Sequence, residues 1–234
     1  MNNNFYNKVQ EDKREAGGYY PEKIDFIIKK TGQHKKILDV GCNDGFIGGL
    51  LVKRKNIVHG IDIVSKNLKT AKKKGLQVKK VNIESEKFPF PSEFFDFVIL
   101  GDVIEHIFDT DKLLRECRRV LKKNGKLILT TPNVASLGRR LMLFFGISPF
   151  LEFSTELTTN GLPSVGHIRY YTVGGLSQQL RHNGFTVNEV RGNGIYTPLF
   201  EFKFLGKFIP SLSAMLLCLA TKNNSVGSLS SYNK

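Results

Sequence analysis

The sequence predicts an α/β fold, a doubly wound and mostly parallel sheet with helices on both faces, on three observations. From residue 36 onward, short apolar runs alternate with segments of helical period, the rhythm of parallel strands joined by crossover helices. The run ILDVGCNDG at 37–45 is apolar, reaches an acid and breaks at once into glycines. Seventeen residues beyond Gly45, a second apolar run, IVHGIDI, carries Asp62 near its end.

The elements follow in order. Ile24, Ile27 and Ile28 recur at helical spacing, so residues 19–30 form a helix that lies against the sheet. KILDV is the first strand, residues 46–54 a helix and NIVHGIDI the second strand. Residues 65–74 form the next helix, with Ser65 as N-cap and Gly75 just past its end. LQVKKVNI is the third strand. FDFVILG, at 95–101, is almost continuously apolar and reads as a buried central strand. Residues 111–121 place Leu113, Leu114, Cys117 and Leu121 on one side of a helix, and Asn124-Gly125 turns the chain into the strand KLILTT.

After Pro132 the pattern loosens. Residues 136–145 suit a helix, and 148–163 suit a loop or lid punctuated by Ser, Thr, Asn, Gly and Pro. A helix over 173–182 ends near Gly184, and FTVNEVRG alternates as a strand does. The stretch 198–221 has two readings. One is a membrane-surface helix, apolar with Lys203 and Lys207; the other, preferred, is a helix to about Phe208 and then a buried strand in AMLLCLAT.

Composition sets further bounds. A chain of 234 residues, 41% apolar and 24% charged, suits one α/β domain. Its expected span is 19–222, with a polar arm at 1–18, a substrate lid or insert at 135–166 and a disordered tail at 223–234. Cys42, Cys117 and Cys218 lie far apart without CxxC or Cys/His spacing, which suits a reducing cytosol and signals neither a metal nor a disulfide framework. The N-terminus lacks the apolar core of a secretion signal. The longest apolar stretches, at 141–145 and 212–220, fall far short of the ~20 residues that span a bilayer, so a soluble protein is expected. The net charge of +14 would attract phosphates, nucleic acid or an anionic membrane. The lysine clusters at 53–55, 66–80 and 122–126 lack interleaved aromatics that stack bases, which favours solvated helix faces instead.

The motifs point to chemistry. Gly41 and Gly45 let the backbone turn sharply and come close to a ligand. A carboxylate at Asp62, at a strand end, can accept both hydroxyls of a ribose. A dinucleotide fingerprint would need glycine where Asn43 and Phe46 stand, and no GxxxxGK[ST] loop exists, so neither NAD nor ATP is the leading ligand. Asp102, Glu105 and His106 follow the central strand in GDVIEH, at the rim where strand carboxyl ends meet ligands. Cys42 reads as a small residue that fits the glycine loop.

These motifs, in this order, resemble the class I S-adenosylmethionine-dependent methyltransferases, and among them the small-molecule type that includes quinone-biosynthesis and glycan-cluster enzymes. The likeness is strong over 36–133 and extends through GHIRYYT and GFTV to about residue 190. It implies a Rossmann-like, seven-stranded sheet and S-adenosylmethionine as cofactor, with S-adenosylhomocysteine as product. It implies that DVGCNDG, with Asp39, Gly41, Cys42, Asn43 and Gly45, lies beneath the methionine moiety. Asp62 and Ile63 would face the ribose, Asn82 and Ile83 the adenine, and Asp102 the cofactor rim. Where this chain has Asn82, family members commonly have an acid; the amide oxygen can still accept a hydrogen bond from the adenine amino group. Asn43 replaces a frequent glycine but tolerates left-handed backbone. Tyr19 and Tyr20 resemble part of the family's cofactor lid, or pack on the core.

His106 and His167 are the candidate bases for an acceptor hydroxyl, each with a rival reading as a structural brace. Arg169 and Tyr170 are candidates for holding an acidic or polar acceptor. No metal is demanded. The resemblance implies methyl transfer to a small-molecule or lipid- or glycan-linked acceptor, most simply at oxygen. An RNA methyltransferase and a non-catalytic cofactor-binding module are the alternatives. The Asn/Asp-Pro-Pro-aromatic motif of base-amino enzymes is replaced by GDVI, and TTPN supplies no nucleophilic cysteine. The aromatic run LMLFFGISPF suits either an apolar acceptor or a helix packed on the sheet. Cytoplasmic location is expected, with peripheral attachment at the inner membrane surface left open.

Overall fold

Alternate side chains of a strand leave on opposite faces of its sheet, and the central strands here are apolar on both, so each face needs a helical cover. The computed structural model describes residues 21–150, 166–197 and 201–224. In chain order these give α1 (Pro21–Thr31), β1 (Lys36–Val40), α2 (Phe46–Val52), β2 (Ile57–Asp62), α3 (Ser65–Lys73), β3 (Gln77–Lys80), β4 (Phe95–Gly101), a 3-10 turn (Ile104–His106), α4 (Thr110–Val120) and β5 (Leu121–Pro132). There follow α5 (Leu137–Phe144), α6 (Val173–His182), β6 (Phe185–Gly192), β7 (Ile195–Tyr196), β8 (Glu201–Phe202), α7 (Lys203–Gly206), a 3-10 turn (Pro210–Leu212) and β9 (Met215–Lys222).

The seven-stranded sheet has the order β3-β2-β1-β4-β5-β9-β6. β1 to β5 run parallel, and β9 pairs antiparallel with both β5 and β6. The predicted doubly wound sheet is therefore the observed one. Leu38, Val40, Val98, Leu100, Leu127 and Leu129 pack on one face beneath α4 and α6. Ile37, Phe97, Ile99 and Ile128 pack on the other, beneath α1, α2 and α3. The strand order reverses at β1, whose neighbours are β2 and β4, and it is outside the carboxyl ends at such a reversal that open α/β sheets bind ligands.

Local departures from expectation have physical causes. Ser65 is the first helical residue of α3, and the N-cap is Val64, whose N–H donates to Asp62 Oδ1 at 2.8 Å. Gly75 does stand past the helix end, at φ 93°. Asn124-Gly125 turns the chain, with Asn124 at φ 58°, but the residues around it stay joined to β5 as a bulge between the Phe95–Leu121 and Phe97–Lys126 pairs. The C-terminal helix is only the short α7, while the buried strand in AMLLCLAT is present as β9. No helix among the described residues is long and apolar enough to cross a membrane. The arm at 1–18, most of the tail and the middle of the 135–166 insert lie outside the described residues.

Gly45 is required twice over. Its φ is 75°, and a Cβ there would lie 2.7 Å from both Cα and Cβ of Ala71 in α3. Gly146, at φ 71°, has open space around it. Urea unfolding of Gly45→Ala should show a loss of about 2–4 kcal/mol, from left-handed strain plus overpacking. Gly146→Ala should lose only the backbone part, about 1 kcal/mol. Equal losses would show that packing against α3 does not constrain the loop.

Candidate active site

Because β1, β2 and β4 are parallel neighbours, their final acids emerge on one rim: Asp39 within β1, Asp62 ending β2 and Asp102 just past β4. Asp62 organises the glycine loop. Its Oδ2 accepts from the N–H of Asn43 at 3.0 Å and its Oδ1 from that of Val64 at 2.8 Å. Gly41 and Asn43 both take left-handed backbone, at φ 66° and 48°. Asn67 Nδ2 donates to Asn43 Oδ1 at 2.5 Å, fixing that side chain. Ile63, next to the acid, is 54% exposed. The glycines serve the protein as much as any ligand: a Cβ on Gly41 would stand 2.7 Å from Val103. Cys42 fills the space left by Gly60, where a Cβ would meet its sulfur at 2.7 Å. Burial pushes its thiol far above the ordinary range, which makes it a packing residue.

Asp39 is buried beside the first turn of α2, where the Gly48 amide donates to it. Burial, reinforced by the Asp62 charge, pushes its carboxyl up to about 7, against the pull of that amide and of Lys23. Lys23 was not anticipated from the sequence. Its side chain is 3% exposed, and its ammonium is ion-paired with Asp102 Oδ2. The other Asp102 oxygen accepts from the Thr130 hydroxyl at 2.5 Å. A signal existed: Lys23 stands four residues before Ile27, so it shares the buried stripe of α1.

The 3-10 turn after β4 assembles a second group. Glu105 is 1% exposed; its Oε2 accepts from Thr131 Oγ1 at 3.2 Å, and its Oε1 is buried with no hydrogen-bond partner among the described residues. Burial, with the nearby Asp102 charge, pushes its carboxyl up to about 8. The Glu105 carbonyl accepts from Ile168 and Arg169 N–H groups at 2.9 and 3.0 Å, drawing the GHIRYYT segment across the rim. His106 and His167, sixty-one positions apart in sequence, thereby come to 4.8 Å between ring centroids. His106 Nδ1 lies 3.1 Å from the Gly166 carbonyl. A carbonyl only accepts, so Nδ1 carries the proton and Nε2 of a neutral ring keeps its lone pair. Ligand atoms of Glu105, His106 and His167 all lie within 4.8 Å of one another, close enough to share a proton or a divalent cation. No local spacing announces this group, because its members come from two distant segments.

Other candidates find plainer surroundings. The Arg169 guanidinium donates to the carbonyls of Ile107 and Phe108, so its donors brace the loop under His106. Tyr170 packs edge-on against Phe150, at 4.6 Å between centroids. Asn82 Oδ1 accepts from the Glu84 N–H at 3.1 Å, closing a turn, and retains one lone pair. Ile83 packs against the core beneath it. Tyr19 and Tyr20 lie outside the described residues.

With this geometry in view, residues 38–129 match the family model of the methyltransferase domain. The chain is 31% identical over 193 residues to the mitochondrial ubiquinone biosynthesis O-methyltransferase of Homo sapiens, covering 74% of this chain and 49% of that one. The corresponding enzyme of Chromobacterium violaceum is 28% identical over 188 residues, 76% of each. The chain thus spans about half the length of the mammalian relatives. Among solved structures, a Thermotoga maritima S-adenosylmethionine-dependent methyltransferase, described as a possible histamine N-methyltransferase, superposes with a TM-score of 0.66 at 21% identity, over 94% of this chain and 97% of that one.

The raised carboxyls carry a sign. A carboxyl lifted from 4.5 to about 8, as in Glu105, keeps its proton in the folded state after the unfolded chain has released it. Its contribution is full below pH 4.5 and is lost as pH rises to about 8. Thermal melts should therefore show wild type losing stability between these limits, and Glu105→Gln losing visibly less. Parallel pH profiles would remove Glu105 from the account.

Proposed function

We propose that this chain is a class I S-adenosylmethionine-dependent methyltransferase and that it transfers a methyl group to a hydroxyl of a small-molecule acceptor, one carried on an apolar or lipid tail. The observation that carries this reading is the paired histidines beside the buried Glu105, next to the acidic rim at the strand-order reversal. S-adenosylmethionine brings a methyl group on a sulfonium, which an attacking oxygen takes in line as the positive charge disappears.

The residues fit such a donor. Asp62 keeps lone pairs for ribose hydroxyls, and Ile63 offers an exposed apolar surface beside it for a flat ring. Asn82 and Ile83, just past the end of β3 beside β2, would complete the ring site in this reading. Lys23 and Asp102, one cationic and one anionic, match an amino acid's carboxylate and ammonium. Gly41 and Asn43 turn the backbone beneath it. Aligning two reactants is the main task in such a transfer.

An acceptor hydroxyl is a poor nucleophile until it loses its proton. His106 Nε2 is the base we assign, held in that tautomer by Gly166, with His167 beside it to share the proton. The aromatic pair Phe150 and Tyr170 lies beside His167, whose carbonyl accepts from the Tyr170 hydroxyl at 3.4 Å, and suits an apolar acceptor. The ubiquinone-pathway names of the relatives favour the same acceptor class. A second reading rests on the Glu105, His106 and His167 cluster as ligands of a divalent cation, which would lower the acceptor's pKa in place of a base.

Calorimetry should find Asp62→Ala binding S-adenosylmethionine about 10- to 100-fold more weakly, the loss of hydrogen bonds to a charged group, with a cooperative melt kept but lowered by the loss of its bonds to the Asn43 and Val64 amides. Unchanged affinity would refute the assignment. Turnover to S-adenosylhomocysteine with a catechol acceptor should fall about 100-fold or more in His106→Ala. Activity abolished by chelation and restored by magnesium would select the second reading.

A further inference from the structure

Two apolar segments lie exposed on neighbouring ground. In α5 and the turn after it, Leu143, Phe144 and Phe145 are between 63% and 81% exposed, and α5 has no buried residue. In the segment around α7, Phe202, Phe204 and Phe208 are between 46% and 69% exposed. Both segments are mounted on the same support. Gly138 of α5 packs so close to the Tyr196 carbonyl that a Cβ would stand 3.1 Å from it, and Gly206 of α7 packs on Gly194. Arg140 donates to the Ser211 carbonyl at 3.1 Å, tying α5 to the turn that follows α7.

We propose that this face is a membrane-docking surface whose occupant is an anionic lipid bilayer. Six large apolar side chains held in water on two short elements make a patch of the kind that monomeric proteins cover or use. Charge chooses the occupant. The chain carries +14; Lys203 and Lys207 alternate with Phe202, Phe204 and Phe208, and Arg139 and Arg140, which donate to backbone carbonyls, add positive charge one turn before Phe144, a pairing of rings and cations suited to headgroup depth. The Lys207 ammonium lies 6.0 Å from the Phe204 ring. It also lines a cleft of about 350 Å³ whose Lys29, Lys30 and Arg191 are paired with Asp25 and Glu189, so the positive charge of the face comes from the two short elements themselves. Glu201, paired with Lys203 at 3.0 Å, tempers the charge but leaves the face basic. A second basic copy of this chain would place like charges together across the same aromatics, which disfavours self-association there.

The surface lies beyond the carboxyl ends of β5 and β6, the end of the sheet that also carries the acidic rim. The docking itself does not depend on methyl transfer. Its test uses the full chain without cofactor or acceptor, sedimented with vesicles of phosphatidylcholine alone or with roughly 30 mol % phosphatidylglycerol. Partition should be about tenfold or more stronger on the anionic vesicles and should weaken as salt is raised. Phe204→Asp with Phe208→Asp should lose that binding while keeping the wild-type melting temperature, and Lys203→Gln with Lys207→Gln should lose the preference for anionic lipid. Equal weak binding to both vesicle types, or aspartate variants that bind like wild type, would overturn the proposal. So would a concentration-dependent dimer dissociated by the same aspartates, which would assign the face to a second copy.

Discussion

Crowding of carboxylates at one rim is the constraint around which the rest is arranged. Parallel pairing of β1 with β2 and β4 brings Asp39, Asp62 and Asp102 to the same end of the sheet, with Glu105 one turn further. Burial there, with the neighbouring charges of Asp62 and Asp102 added to it, raises the proton affinity of Asp39 and Glu105, to about 7 and about 8. The remaining negative charge is answered by backbone amides at Asp62 and by the Lys23 ammonium at Asp102. An acidic crevice inside a strongly basic chain is suited to a ligand with a sulfonium and an ammonium, and unsuited to a polyphosphate.

The same arrangement ties separate parts of the chain to the site. α1 reaches the rim through Lys23, so the helix before the sheet holds the end of β4. The GHIRYYT segment reaches it through the Glu105 carbonyl and through Arg169, which clamps the loop carrying His106. The histidine pair thus depends on contacts made by neighbours whose side chains need never touch a substrate. This explains why Arg169, whose residue type suggests acceptor binding, has its donors committed to loop carbonyls.

Much of this was legible before any coordinates, for physical reasons. Short apolar runs between helical segments marked the parallel strands, and the preferred reading of AMLLCLAT as a buried strand matches β9. The glycine loop and Asp62 announced themselves through residue types that only certain backbone positions accept, and Asn43 does take the left-handed conformation expected of it. Other features were hidden. Lys23 carries no motif, and only its register with Ile27 marks it as buried. The Glu105, His106 and His167 grouping joins segments far apart in sequence, which no spacing rule reaches. Ser65 was read as an N-cap from its hydroxyl, whereas the Asp62 carboxylate had already engaged the Val64 amide one residue earlier. Cap chemistry is local, and here the acid ending β2 overrides it.

The central claim is that the bend after β1 and the acid ending β2 together grip the adenosyl and methionine parts of one sulfonium ligand. Amide chemical shifts followed by heteronuclear NMR during titration with S-adenosylmethionine test it most directly, because the Asn43 and Val64 N–H groups both donate to Asp62. The account predicts that these two amides, with those of Gly41 and Gly45, shift most and saturate together. Saturable binding that leaves all four unmoved would contradict it.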